Sequence, residues 1–143
     1  PRPWPSAISA RQMAALRGVD VRIMIPDKPD KFIPWLATFS FLADMEAAGV
    51  RLFRYEPGFL HQKVLVVDEM LASVGTMNLD NRSMRLNFEV SAVVICREFA
   101  RQVAAMLEMD FTKCREVGGE DYTSKSWWFR LAVRLARLTS PVL

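Results

Sequence analysis

The stretch that decides the fold runs from His61 to Glu89, HQKVLVVDEMLASVGTMNLDNRSMRLNFE, and carries the spacing H-x-K-x-x-x-x-D, then six residues, then G-T-x-N. Side chains alternate faces along a strand, so His61 and Lys63 are predicted to project from one side of a strand that runs to Asp68. An imidazole and an ammonium group on one face form a site for an anion. Asp68, an odd number of residues away at the end of that strand, is predicted to point elsewhere and hold structure, although it stands in the motif with the other candidate catalytic residues, His61, Lys63 and Glu89. Val64 to Val67 read as sheet core. Gly75, Thr76 and Asn78 follow as candidate phosphate-binding residues: glycine lets the backbone approach a phosphate, and an asparagine amide donates to its oxygen. Glu89 stands at the start of Phe88 to Cys96, a β-branched run that reads as a buried central strand. A carboxylate there needs a partner, and the His61 imidazole is a candidate.

Working outward, Ile8 to Arg17 reads as a helix stopped by Gly18, and Val19 to Ile25 as a strand ended by Pro26. After a polar loop from Asp27 to Asp30, a well-buried helix is predicted from Pro34 to Ala48, with Gly49 ending it. Val50 to Tyr55 alternates as a strand does, and Pro57-Gly58 breaks it. Phe59 and Leu60, just before the motif, read as core filling, or as lining for an acyl chain. Leu71 to Val74 is a second strand, joined to the first by an acidic turn around Glu69, and Glu98 to Lys113 returns to helical spacing. The order predicts an α/β domain with one mixed sheet between helix layers. Residues 1–17 read as a truncated leader and first helix, 18–119 as the catalytic unit and 120–143 as a C-terminal basic helix.

With 143 residues, 51% hydrophobic and 24% charged, the chain fits one globular domain, and disordered or fibrous classes drop out. Its net charge of +3 is modest, but Arg130, Arg134 and Arg137 follow one another with no acid between them, a local basic surface that attracts phosphates. Cys96 and Cys114 are too far apart for a C-x-x-C, so no disulfide framework or zinc ribbon is suggested, and a reduced, cytosolic setting fits. His61 is the only histidine, which removes any metal site built on several imidazoles. The longest apolar run, Phe32 to Ala43, is interrupted by Pro34 and is shorter than the roughly 20 residues of a membrane span. The abrupt start at Pro1, with Pro3 and Pro5 close behind and no signal-peptide pattern, reads as a truncation, an engineered boundary or an unusual leader.

The residues from His61 through Lys63 and Asp68 to Gly75 and Asn78 match the phospholipase D superfamily signature at every spacing. Within that superfamily, RGVDVRIMIPDKPD, AAGVRLFRYEPGFLHQK, NLDNRSMRLNFEV and RLARLTSPVL resemble the bacterial cardiolipin synthases, and the likeness covers Leu16 to Leu143. The resemblance implies a phospholipase D-like half, here the C-terminal one, with a mixed sheet flanked by helices. It also implies a phosphatidyltransferase that makes cardiolipin and glycerol from two phosphatidylglycerols through a phosphohistidine. His61 would be the acid/base of two paired histidines, with the nucleophile role as the alternative. Lys63 and Asn78 would hold the phosphoryl oxygens, Thr76 would stand where the family often has serine, and Glu89 would orient the His61 ring; no metal or other cofactor is required. The implied partners are phosphatidylglycerol and other anionic phospholipids, a membrane surface, and the N-terminal half of the same enzyme or a second copy, rather than nucleic acid. The implied location is the cytoplasmic face of a bacterial inner membrane. The family site lies between two motifs and this chain has one, so an isolated monomer is expected to be inactive.

Two other functions fit the same residues. A dimeric phospholipase D-like nuclease would use the basic surface but has no need of the apolar segments. An inactive membrane-associated fragment would keep the motif as a relic. At the C-terminus, Trp127, Leu131, Leu135 and Leu138 share one side of a helix and the arginines another. That periodicity serves equally for a helix in a lipid interface and for one that packs its apolar stripe on the domain.

Overall fold

The computed structural model describes residues 5–28, 35, 36, 38–78, 83 and 87–139. Helix α1 (Pro5–Leu16) ends at Gly18, whose φ of 89° is the left-handed conformation that closes a helix, and β1 (Arg22–Pro26) follows. Pro26 has no N–H to give a ladder, and β1 tolerates it because it is an edge strand, paired only with β2 (Arg51–Tyr55). The two run parallel, with Arg22 opposite Arg51 and Pro26 opposite Tyr55. Parallel strands need a crossover. Here it includes a 3-10 turn (Phe39–Phe41) and α2 (Leu42–Ala47), which Gly49 (φ 82°) ends by donating to the Glu46 carbonyl at 2.8 Å. The helix predicted from Pro34 to Ala48 is therefore divided where it is described, and Pro34 itself lies outside the described residues.

The second sheet is an antiparallel meander of β3 (Val64–Val67), β4 (Leu71–Gly75) and β5 (Ser91–Ile95). Helix α3 (Arg97–Phe111) covers one of its faces, where Ala72, Ala100 and Val103 are buried with Val64, Val66, Phe99 and Leu107 packed around them. Next, β6 (Cys114–Val117) returns to the first sheet and pairs antiparallel with β2, giving the order β1-β2-β6. The short α4 (Gly119–Thr123) follows, and α5 (Trp127–Thr139) closes the described chain.

The α/β class and flanking helices agree with the sequence reading, but the single mixed sheet does not: there is a mixed sheet and a separate antiparallel one. Residues 56–62, with the Pro57-Gly58 break, carry the chain from one to the other outside both ladders. Helix α3 ties the two together. Phe111 meets Phe53 of β2 edge to face at 4.9 Å, and Glu108 accepts from Arg22 of β1 at 2.9 Å. The larger core lies on the first sheet, where Leu36, Phe39, Leu42, Met45, Val50, Leu52, Val117, Val133 and Ala136 form one buried cluster. A fully buried side chain such as Leu42 contributes about 2 kcal/mol there. Since Val133 and Ala136 belong to α5, that helix shares the core of the preceding residues.

Two further expectations give way. The run from Phe88 to Cys96 is not a buried central strand: β5 is an edge strand, with Val93 59% and Ile95 80% exposed, because α3 covers only the other face of its sheet. Phe59 does not fill core either, being 63% exposed. Cys96 and Cys114 are both free, and among the described residues no helix is long and apolar enough to cross a membrane.

Candidate active site

An antiparallel meander brings the start of its first strand, the end of its second and the start of its third to one edge. Val64 opposes Val74, and Gly75 opposes Ser91, so His61 and Lys63 just before β3, Thr76 and Asn78 just after β4, and Glu89 just before β5 gather at that edge. The join is hydrogen-bonded: Gly75 N donates to the Lys63 carbonyl at 3.1 Å, and Thr76 N donates to the Val90 carbonyl at 2.9 Å.

Gly75 is needed for this join. A β-carbon there would come within 2.5 Å of the Val90 carbonyl oxygen, so the close approach that glycine allows is to the backbone leading into β5. The sequence reading assigned that room to a phosphate.

His61 and Lys63 precede β3, and only Lys63 shares a backbone hydrogen bond with β4, so strand alternation does not set the direction of His61. The exposed His61 ring stacks on Phe59, centroids 5.4 Å apart and planes 14° from parallel. The Lys63 ammonium donates to the His61 carbonyl at 2.9 Å. Between them, Gln62 turns to α3 and donates to Asp110 at 3.2 Å, anchoring the motif segment to the end of that helix. Sequence reasoning passed over Gln62 and the stacking role of Phe59. Both depend on tertiary neighbours, and only the aromatic character of Phe59 was visible.

Glu89 does not pair with the His61 ring. The Thr76 hydroxyl and the Asn87 amide donate to its two carboxylate oxygens, the latter at 3.1 Å, and Val90 N donates back to the Thr76 hydroxyl at 3.0 Å. The hydrogen bond from Thr76, then that from Asn87, holds the Glu89 carboxyl below the usual glutamate range, with smaller help from Ser83 and the charge of Lys63. Glu89 thus fixes the loop walls of the site and lends negative charge near the ammonium. The Asn78 side chain, two residues after Thr76, is exposed.

Asp68 lies at the opposite end of β3, a strand of about 13 Å. It occupies the β3–β4 turn with Glu69, both at positive φ (49° and 50°), and Met70 N donates to the Val67 carbonyl at 3.0 Å. Aspartate tolerates that backbone better than most residues. The arrangement at the other end, an imidazole, an ammonium, a hydroxyl and an amide on one open edge, is suited to a phosphodiester and to moving a proton at its bridging oxygen. Among the described residues no group of three or more His, Cys, Asp or Glu side chains is placed to hold a metal ion.

The architecture is that of the phospholipase D class. Nuc from Salmonella typhimurium, a phospholipase D family member, superposes with a TM-score of 0.70 over 80% of this chain and 74% of its own, at 22% identity. The family model described as cardiolipin synthase, PLD-like domain, matches residues 5–111, and the chain belongs to that family. Cardiolipin synthase A of Pseudomonas putida (strain W619) and of Pseudomonas entomophila (strain L48) are each 48% identical over 99% of this chain. The corresponding protein of Pseudomonas syringae pv. syringae (strain B728a) is 44% identical over the same share. The chain spans 29% of the length of each of these relatives.

Proposed function

We propose that this chain supplies one half of a phosphatidyltransferase site that makes cardiolipin and glycerol from two phosphatidylglycerols at the cytoplasmic face of a bacterial inner membrane. The observation that carries this reading is the gathering of His61, Lys63, Thr76, Asn78 and Glu89 at one edge of a meander in a chain of the cardiolipin synthase family. Transfer through a covalent intermediate needs two imidazoles and this chain has one, so a second half, from the same enzyme or from a second copy, brings the other.

In the first step the partner imidazole attacks the phosphorus of the donor lipid. The bond to the headgroup glycerol breaks, and protonated His61 gives that oxygen its proton, leaving a phosphohistidine. In the second step neutral His61 takes the proton of a glycerol hydroxyl on the second phosphatidylglycerol. The oxygen attacks phosphorus, the P–N bond breaks and cardiolipin leaves. The opposite assignment of the two histidines is the alternative. Lys63 and Asn78 donate to the non-bridging oxygens as charge grows on them, Thr76 and Glu89 keep the site edge in register, and Asp68 serves the turn.

The face of the second sheet that nothing among the described residues covers supports pairing. Leu65, Val67, Leu71, Val93 and Ile95 share it by register, and all of them but Leu71 are exposed. An apolar face of this kind next to an incomplete site is suited to another protein surface.

The test replaces the matching segment of Pseudomonas putida cardiolipin synthase A with residues 5–143 and supplies phosphatidylglycerol vesicles. Cardiolipin and glycerol are the expected products, and His61→Ala lowers kcat by about 10²–10⁴-fold. DNA cleavage without lipid turnover would replace this reading with the nuclease one.

A further inference from the structure

Helix α5 has two apolar stripes, and the domain uses only one. Phe129, Val133 and Ala136, spaced four and three apart, face inward. Val133 is fully buried, and Phe129 meets Phe39 edge to face at 5.1 Å and Trp35 at 6.2 Å. The other stripe, Trp127, Trp128, Leu131 and Leu135, points outward, with exposures of 61%, 64%, 42% and 58%. Packing on the domain therefore accounts for the first stripe and leaves the second without a packing partner among the described residues. The two indoles stack with centroids 3.5 Å apart, so they present one continuous apolar surface at the start of the helix.

Charge decides what covers that surface. From Tyr122 to Leu143 the sequence has four cations, Lys125, Arg130, Arg134 and Arg137, and no acid. At 100° per residue Arg130 and Arg134 fall along one border of the Trp and Leu stripe. Neither is ion-paired among the described residues; the Arg130 guanidinium lies 5.8 Å from the Tyr122 ring centroid. Arginines beside indoles and leucines match an anionic bilayer, where indoles sit at headgroup depth and guanidinium groups meet phosphates. The face of the second sheet that bears Leu65, Val67, Val93 and Ile95 is different: it carries aliphatic side chains with Ser73 and Ser91, its three strands contain no cation, and that is the surface suited to another protein.

We propose that the outward stripe of α5 seats this domain on an anionic phospholipid bilayer, with Trp127 and Trp128 at headgroup depth and Arg130 and Arg134 on lipid phosphates. The proposal deepens the phosphatidyl-transfer reading and rests on it for the reason a bilayer is needed, but the contact is measurable without turnover. The helix, about 20 Å long, lies along the surface, and through Phe129 and Phe39 it holds the domain that carries the site edge against its substrate.

The test is co-sedimentation of the purified chain with vesicles of phosphatidylcholine alone and of phosphatidylcholine with phosphatidylglycerol. Binding is expected to the anionic vesicles and to fall as salt rises, with about a fivefold loss for each of Arg130→Gln and Arg134→Gln. Trp127→Ala with Trp128→Ala is expected to lose at least about tenfold while keeping the melting temperature, since both rings are exposed. Leu135→Gln is the second probe should that pair fail to fold, with a loss in the same direction. Anionic vesicles that leave the wild-type chain in the supernatant overturn the proposal, as does a tryptophan-pair variant that binds as wild type. Self-association that needs the tryptophans, without vesicle binding, overturns it in favour of a second copy as the occupant. His61→Ala is expected to bind as wild type, so a site that fails to turn over lipid is separable from a helix that fails to hold it.

Discussion

Glu89 shows how a residue is recognised by type and then placed by its neighbours. The sequence showed a carboxylate that needs a partner; the structure supplies Thr76 and Asn87, thirteen and two residues away, because the β4–β5 ladder brings Thr76 opposite. Their hydrogen bonds favour the ionised form and lower its pKa, so the unfolded chain takes up this proton at a higher pH than the folded one does. The stabilisation is full above the ordinary glutamate value of 4.5 and is lost as pH falls through the lowered one. Glu89→Gln should therefore unfold more easily than wild type at neutral pH, with the gap narrowing below pH 4.5, as read by denaturant melts across pH. A gap that is constant through acid would mean the carboxylate is not what holds the loops. The motif residues themselves were legible because their spacing is covalent. The stacking of Phe59 on His61 and the anchoring of Gln62 to Asp110 were not, because each needs a contact that the spacing does not contain.

Elements were legible where one physical signal dominated. Gly18 and Gly49 marked the ends of α1 and α2, and the β-branched runs marked β3 and β5, within a few residues at each end. By contrast, β6 gave no signal. Its four residues, CREV, include two charges that look like loop, yet Arg51 binds Glu116 at 2.9 Å across the ladder and Asp121 binds Arg115 at 2.8 Å. Arg54 of β2 is a stronger case. A cation sits 2% exposed in a strand, with Asp27 at 3.8 Å and its guanidinium 4.3 Å from the Phe39 ring centroid, and burial pushes its pKa down. The guanidinium also lies 5.7 Å from the Trp35 ring centroid, so packing against aromatic rings is part of what this side chain provides. Arg54→Ala should cost about 3 kcal/mol, whereas Arg54→Met should cost less than half of that. Equal losses in urea melts would show that the charge, not the packing, is what counts.

At the scale of the molecule, the covered and uncovered faces matter most. Helix α3 covers one face of the meander and nothing among the described residues covers the other, where β5 stands at the edge. Val93→Lys with Ile95→Lys should change the stability of the chain alone by no more than about 0.5 kcal/mol, since both side chains are exposed. The same pair should abolish pairing with a second half, read by sedimentation velocity and by loss of cardiolipin from the chimera. A sharp loss of stability in the chain alone would show that this face is packed in solution. The sequence by itself determined the α/β class, the spacing of the motif residues and one apolar stripe of α5, that of Trp127, Leu131 and Leu135, because spacing and pattern are carried along the chain. Only the tertiary structure decided that the strands form two sheets, that Glu89 joins Thr76 and not His61, and that α5 turns Phe129 and Val133 inward with Trp127 and Leu131 outward. The reason is the same throughout. A periodic pattern says which side chains share a face, and only packing between distant segments decides which face is buried.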